Sequence, residues 1–285
     1  MINFILFLLL ILTSCSSNQV RTLSSEAFPT SIIDAHTHFH AYEGEKWNQP
    51  SEKMLADFEE AGVVAAVTHL SGKEEKVVVD RKSKIKFAVC ASLSPVQTVA
   101  KVEKGIKEGR YQCMKVYLGY VPMWAMDKYY LPFYKLAEKY NVPVVFHTGD
   151  TYDKMAKVKY ADPLQIDEVA VTYPKVTFVI AHMGNPWFES AAEVVYKNDN
   201  VFVDTSALML DDVATQNPES VEELIVKKVR WFWLYVENSK KIMFASDYPL
   251  LKIKSYRDVI KRAIPPEHWQ AVFYDNAARV FKLNK

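Results

Sequence analysis

Four histidines and one aspartate are the residues of this chain whose types and spacing best suit chemistry. His36 and His38 stand two apart, so on an extended strand both imidazoles project to one side and can reach a common cation at about 2.0–2.1 Å. His147 lies in the run HTG, His182 in HMG and Asp247 in FASDYP, each just after a short apolar run. Any one histidine alone would more often be a hydrogen-bonded structural residue. Nitrogen ligands from distant segments that converge with one carboxylate describe a site for a divalent metal, with zinc the expected ion. Asp34, two residues before His36, points the same way and can orient a ligand. His40 and His69 read as loop or wall residues, and His268 falls in a terminal helix away from the site. Trp47, Tyr117, Tyr120, Trp124, Tyr152 and Trp187 follow strand ends, where they serve as pocket wall or as packing. Lys154, Lys157 and Lys159, in the loop after the fifth strand, hint at an anionic substrate but read first as a solvated loop face.

The elements that must position these groups alternate regularly. Short runs rich in Val, Ile, Phe and Ala predict strands at Ile32 to His36, Val63 to His69, Ile85 to Ser92, Gln112 to Tyr117, Val142 to His147, Val176 to His182, Val201 to Thr205 and Lys241 to Ser246. Amphipathic stretches between them predict helices at Ser51 to Ala61, Lys73 to Arg81, Val96 to Glu108, Lys128 to Tyr140, Leu164 to Thr172, Pro186 to Lys197, Glu219 to Val236 and Ser255 to Arg262. Strands such as VPVVF and VTFVI are apolar at consecutive positions, as expected of a parallel sheet covered on both faces. The fold expected is α/β, a (β/α)8 TIM barrel, with an extra C-terminal helix at Pro266 to Phe281. An open doubly wound sheet would advertise a Gly-rich first turn, and neither G-x-G-x-x-G nor G-x-x-x-x-G-K-[ST] occurs. The four histidines then fall at the carboxyl ends of strands, the active-site face of such a barrel.

A chain of 285 residues, 49% hydrophobic, can bury one large core, so a single catalytic domain is expected over residues 31–285. Lysine and arginine number 35 against 34 acidic residues, a balance that gives no field to draw in nucleic acid. Phe4 to Leu12 is an unbroken apolar stretch too short to span a bilayer, and it reads as the core of a secretion signal over residues 1–14. The run ends in Leu12-Thr13-Ser14-Cys15, which resembles the lipidation box of bacterial lipoproteins. Cys15 would then carry the acyl chains and residues 15–30 would tether an exported, membrane-anchored domain. Cys90 and Cys113, inside apolar runs, read as small buried hydrophobes rather than as a disulfide.

Beyond the residues themselves, the chain resembles the amidohydrolase superfamily, in the amidohydrolase-related branch that holds both hydrolases and metal-dependent decarboxylases. The resemblance covers residues 31 to 283. It is carried by DAHTHFH (34–40), KVY (115–117), VVFHTGD (144–150), IAHMGNP (180–186), FASDYP (244–249) and NAARVF (276–281). It implies that His36, His38 and His147 bind metal, and that Asp247 binds it or takes a proton from its water. His182 would ligate a second ion or polarise a substrate carbonyl, so one or two ions are expected. Lys115 would be carboxylated and bridge two ions, or stay a cationic substrate contact. The activity this implies is hydrolysis of a small lactone, amide or ester. Decarboxylation of a small unsaturated or aromatic acid stays open, as does a non-catalytic lipoprotein that binds metal or ligand. A homo-oligomer is compatible with all three.

Overall fold

The computed structural model describes residues 27–38, 51–70 and 83–283. Eight parallel strands pair in chain order: β1 (Ile32–Thr37), β2 (Val63–His69), β3 (Lys86–Ser92), β4 (Cys113–Tyr117), β5 (Val144–His147), β6 (Phe178–Ile180), β7 (Val201–Asp204) and β8 (Ile242–Met243). The ring is completed between its last and first strands. Ala35 N–H donates to the Phe244 carbonyl (3.0 Å), Asp247 N–H to His36 (2.8 Å) and His38 N–H to Tyr248 (2.7 Å). Around the strands lie α1 (Ser51–Glu60), α2 (Val99–Lys107), α3 (Leu131–Tyr140), α4 (Gln165–Thr172), α5 (Phe188–Lys197), α6 (Pro218–Val221), α7 (Lys227–Val236), α8 (Ile253–Ala263) and α9 (Asn276–Val280). This is a (β/α)8 barrel.

Period-two alternation sorts each strand into two apolar layers. Phe146, Phe178 and Ile180 pack outward with helix residues such as Tyr134, Ile166 and Phe188. Val145 and Val179 belong to a second cluster with Ile33, Val67 and Met243, which among the described residues takes no α-helical residue except those of the C-terminal segment. That cluster is the barrel interior, and Ala277, Phe281 and Leu283 stop its lower end. The helices keep one apolar stripe inward: α8 buries Ile253, Tyr256, Val259, Ile260 and Ala263.

The structure departs from the sequence reading at three points. Cys90 and Cys113 are joined in a disulfide. They are directly paired residues of neighbouring strands, on the interior face, a juxtaposition that only the barrel register creates. The expected helix at Glu219 to Val236 is α6 and α7 joined by a π-helical turn, Glu222–Val226. The expected terminal helix is broken into a 3-10 turn at Pro266–His268, a π-helical turn at Ala271–Asp275, and α9.

The expected helix at Lys73 to Arg81, the residues His40 and Trp47, and the expected signal and lipidation segment with Cys15 lie outside the described residues. No helix among the described residues is long and apolar enough to cross a membrane. Because Phe281 is 2% exposed and fills the lower end of the barrel, Phe281→Ala should cost about 3–5 kcal/mol. Denaturant unfolding should show a lower midpoint with an unchanged slope.

Candidate metal centre

The carboxyl ends of the strands carry the polar interior. His36 lies in β1 and His38 just beyond it, Lys115 in β4, and His147 closes β5. His182 and Asp247 sit in turns after β6 and β8 with left-handed backbone, φ 60° and 67°. Non-glycine residues adopt that conformation at a cost, and it recurs where a side chain must be aimed at a site. Gly149, φ 84°, lets the chain after His147 pass the Asn185 carbonyl, which a Cβ there would meet at 2.0 Å. All six side chains are buried, and all six border a cavity of about 460 Å³.

Hydrogen bonds fix where the imidazole protons are. His38 Nδ1 lies 3.1 Å from the His69 carbonyl oxygen, which can only accept, so Nδ1 carries the proton and Nε2 the lone pair. His36 Nδ1 lies 3.0 Å from Asp204 Oδ2, which leaves its Nε2 bare in the same way. These two nitrogens stand 3.2 Å (His38) and 3.5 Å (His36) from Asp247 Oδ1. That oxygen is buried and has no aligned hydrogen-bond donor among the described residues. Three electron-rich atoms from β1 and the β8 turn therefore face one point, an arrangement that a cation satisfies.

A second pair has the same character. His147 Nε2 donates to the Asp150 carbonyl (2.9 Å), leaving the lone pair on Nδ1. Ser206 Oγ donates to Asp204, so it accepts from His182 Nδ1 (2.8 Å), leaving that lone pair on Nε2. The two bare nitrogens lie 3.1 Å apart, and only a proton or a cation between them satisfies both. Burial pushes His36 and His147 well below the usual histidine range and lowers His182, which favours the neutral, ligating form. Lys115 Nζ stands 3.4 Å from His36 Nε2, and burial draws its pKa down to about 8.

One residue that the sequence reading passed over, Asp204, and one that it named as a supporting group, Asp34, complete the centre. Asp204, the last residue of β7, accepts from His36 Nδ1, from the His182 and Ser206 N–H groups (3.0 and 3.1 Å) and from the Ser206 hydroxyl. It also gathers with His36 and His182, but with its oxygens committed it acts as their support rather than as a ligand. The signal was present: VFVDTS ends an apolar run in a carboxylate, as FASD does. Asp34 holds the backbone of both partners, accepting from His36 N–H (3.2 Å), Ser246 N–H (3.0 Å) and Ser246 Oγ (2.5 Å). His69, expected in a loop or wall, ends β2 fully buried with its ring edge-on to His36 at 4.1 Å. Asp204→Asn should weaken metal retention about 10–100-fold, measured by competition with a chelator, while the far-ultraviolet circular dichroism stays unchanged.

Comparison with known proteins bears on the family and the fold. The amidohydrolase family model matches residues 33–283. The 2,6-dihydroxybenzoate decarboxylase of Rhizobium superposes with a TM-score of 0.65 at 15% identity, covering 89% of this chain and 99% of that one. A probable 2-pyrone-4,6-dicarboxylic acid hydrolase of Acinetobacter baumannii, solved with citric acid, gives 0.63 at 12%, covering 88% and 99%. A 5-carboxyvanillate decarboxylase of Novosphingobium aromaticivorans, solved with manganese, gives 0.60 at 12%, covering 88% and 97%. A search of curated proteins finds no match. With its family pattern running through nearly the whole barrel, the chain belongs to the amidohydrolase family.

Proposed function

We propose that the protein is a metal-dependent hydrolase of a small lactone, amide or ester, with zinc held by His36, His38 and Asp247 and a second cation position at His147 and His182. The observation that carries this reading is Asp247 Oδ1, a buried carboxyl oxygen without an aligned donor among the described residues, 3.2 and 3.5 Å from the Nε2 atoms of His38 and His36. When bound there, a divalent cation supplies Lewis acidity and makes a water beside it acidic enough to lose a proton near neutral pH. The Asp247 carboxyl group, through the oxygen not engaged with the cation, would take that proton and return it to the leaving group. Asp204 keeps the His36 Nδ1 proton in place, so that Nε2 stays available throughout. His182, anchored through Nδ1 to Ser206, turns Nε2 toward His147 and the cavity, where it can polarise a carbonyl.

A second reading is supported by Lys115. A decarboxylation leaves a carbanion that needs a proton, and a buried ammonium with a pKa near 8 beside the ligand group can donate one. The two superposable decarboxylases favour it further. Chelator treatment should abolish turnover of a lactone, ester and amide panel, and Asp247→Asn should lower it at least about 100-fold. Product from 18O-labelled water should carry the label. Release of carbon dioxide without label incorporation would replace the hydrolase by the lyase.

For location, we propose export and lipid anchoring through Cys15. The buried Cys90–Cys113 disulfide supports an oxidising compartment. Mass spectrometry of the mature protein from its native host should find an acylated Cys15 as the first residue. An intact Met1 would refute the anchor.

A further inference from the structure

The fold does not account for one face of α7. Val229, Phe232 and Val236 recur at three- and four-residue spacing and are buried against the barrel, the one apolar stripe that an outer helix needs. The helix nevertheless ends in an unbroken apolar run, Trp231 to Val236, and so carries a second stripe on its far side. Trp231, Leu234 and Tyr235 are 36%, 57% and 41% exposed. Tyr235 stacks on Trp231 at 5.2 Å and meets Tyr196 of α5, itself 54% exposed, at 5.9 Å. These side chains form one outward ridge, where scattered single residues are the ordinary case. Tyr196, Leu234 and Tyr235 lie in the last turns of their helices. Each helix runs back against its strand, so the ridge sits toward the lower end of the barrel, away from the cavity mouth.

Cations rim the ridge. Arg230, next to Trp231, donates through Nη2 to the Arg262 carbonyl (2.9 Å), and Lys240 follows the end of α7. Lys261 of α8 lies over the rings of Phe28 (4.6 Å) and Trp269 (4.5 Å). None of these three pairs with a carboxylate among the described residues. The acidic groups at the edge are Glu193, which accepts from the Tyr235 hydroxyl (2.6 Å), and Glu237. The described chain also begins beside this flank. Phe28 packs on Trp269 (5.5 Å), and the neighbouring His268 packs on Trp233 of α7 (5.4 Å). Ala27 lies 12 residues after Cys15, so an anchor there holds the flank within about 40 Å of a bilayer.

We infer that the α5–α7 flank docks on an anionic bilayer, with Tyr196, Trp231, Leu234 and Tyr235 among the headgroups and Arg230, Lys240 and Lys261 against lipid phosphates. Tryptophan and tyrosine suit that layer because each joins an apolar ring to one polar group. Lysine and arginine reach lipid phosphates from the edge of an apolar surface. The cationic rim and the nearby start of the described chain favour a bilayer over a second copy of the chain, which needs neither. Docked in this way, the domain keeps its cavity mouth in water. The distance argument rests on the Cys15 anchor proposed above, whereas the ridge and its cations stand without it.

The test uses the protein as its native host processes it, reconstituted in vesicles of phosphatidylethanolamine and phosphatidylglycerol. A bimane label is introduced through Leu234→Cys and, in separate samples, through Met155→Cys in the loop after β5 or Lys104→Cys on α2. Lipid spin-labelled near its headgroup should quench the label at position 234 at least about 3-fold more than either of the others. Arg230→Gln/Lys240→Gln, or phosphatidylcholine in place of phosphatidylglycerol, should bring that quenching down toward the control level. All these positions are exposed, and melting temperatures check that each variant is folded. Equal quenching at the three positions would overturn the docking flank, as would quenching at 234 that ignores both changes of charge. A label at 234 that lipid does not reach, in a protein that light scattering shows to be a dimer in detergent, would overturn it in favour of a second copy. Mass spectrometry of the same sample separates this proposal from the anchor. Position-selective quenching of a protein without acyl groups upholds the flank and removes the anchor, and an acylated protein with uniform quenching does the reverse.

Discussion

The centre depends on one constraint: an imidazole that gives its proton to a fixed acceptor has a lone pair left at its other nitrogen. The backbone carbonyl of His69 imposes this on His38, and the carboxylate of Asp204 imposes it on His36. Neither acceptor can exchange roles without losing a buried hydrogen bond. The orientation of both rings, and the electron density they present to Asp247 Oδ1, is therefore set by the fold. Asp204 extends the same control to the turn after β6 by holding the His182 N–H, so one carboxylate fixes two histidine-bearing segments from different strands.

Supporting groups of this kind are costly to bury and are tolerated because they are paired. Asp34 shows the balance: burial raises its pKa to about 7 even though Ser246 and the His36 N–H bond to it. Its bonds tie β1 to the turn after β8, across the seam where the barrel closes. Closure and the placement of these side chains are thus one set of interactions, since the seam hydrogen bonds join His36 and His38 to the very segment that carries Asp247.

The sequence made the barrel legible because apolar strands and amphipathic helices alternate with few exceptions. β2 runs from Val63 to His69 as expected, and the other strands differ at their ends. The ends differ where backbone groups leave the ladder: after Ile180 the chain turns through left-handed His182 and Met183, and Phe244 N–H bonds the Val272 carbonyl. At the site, His36, His38 and Asp247 come together, with Lys115 against His36, while His147 meets His182. Spacing along the chain could not reveal which of these would pair. The disulfide was hidden for the same reason, because two cysteines 23 residues apart become neighbours only through strand register. Asp204 was overlooked because a lone aspartate carries less signal than a histidine, although its position at a strand end was visible.

The lower end of the barrel has a further consequence. With Phe281, Leu283 and Ala277 filling it, the chamber has no back exit among the described residues, and whatever enters past the strand ends must leave the same way. A long polymer cannot be threaded through such a space. The compound processed has to present a free end or be small enough to turn around inside, and each departing molecule occupies the doorway that the next one needs.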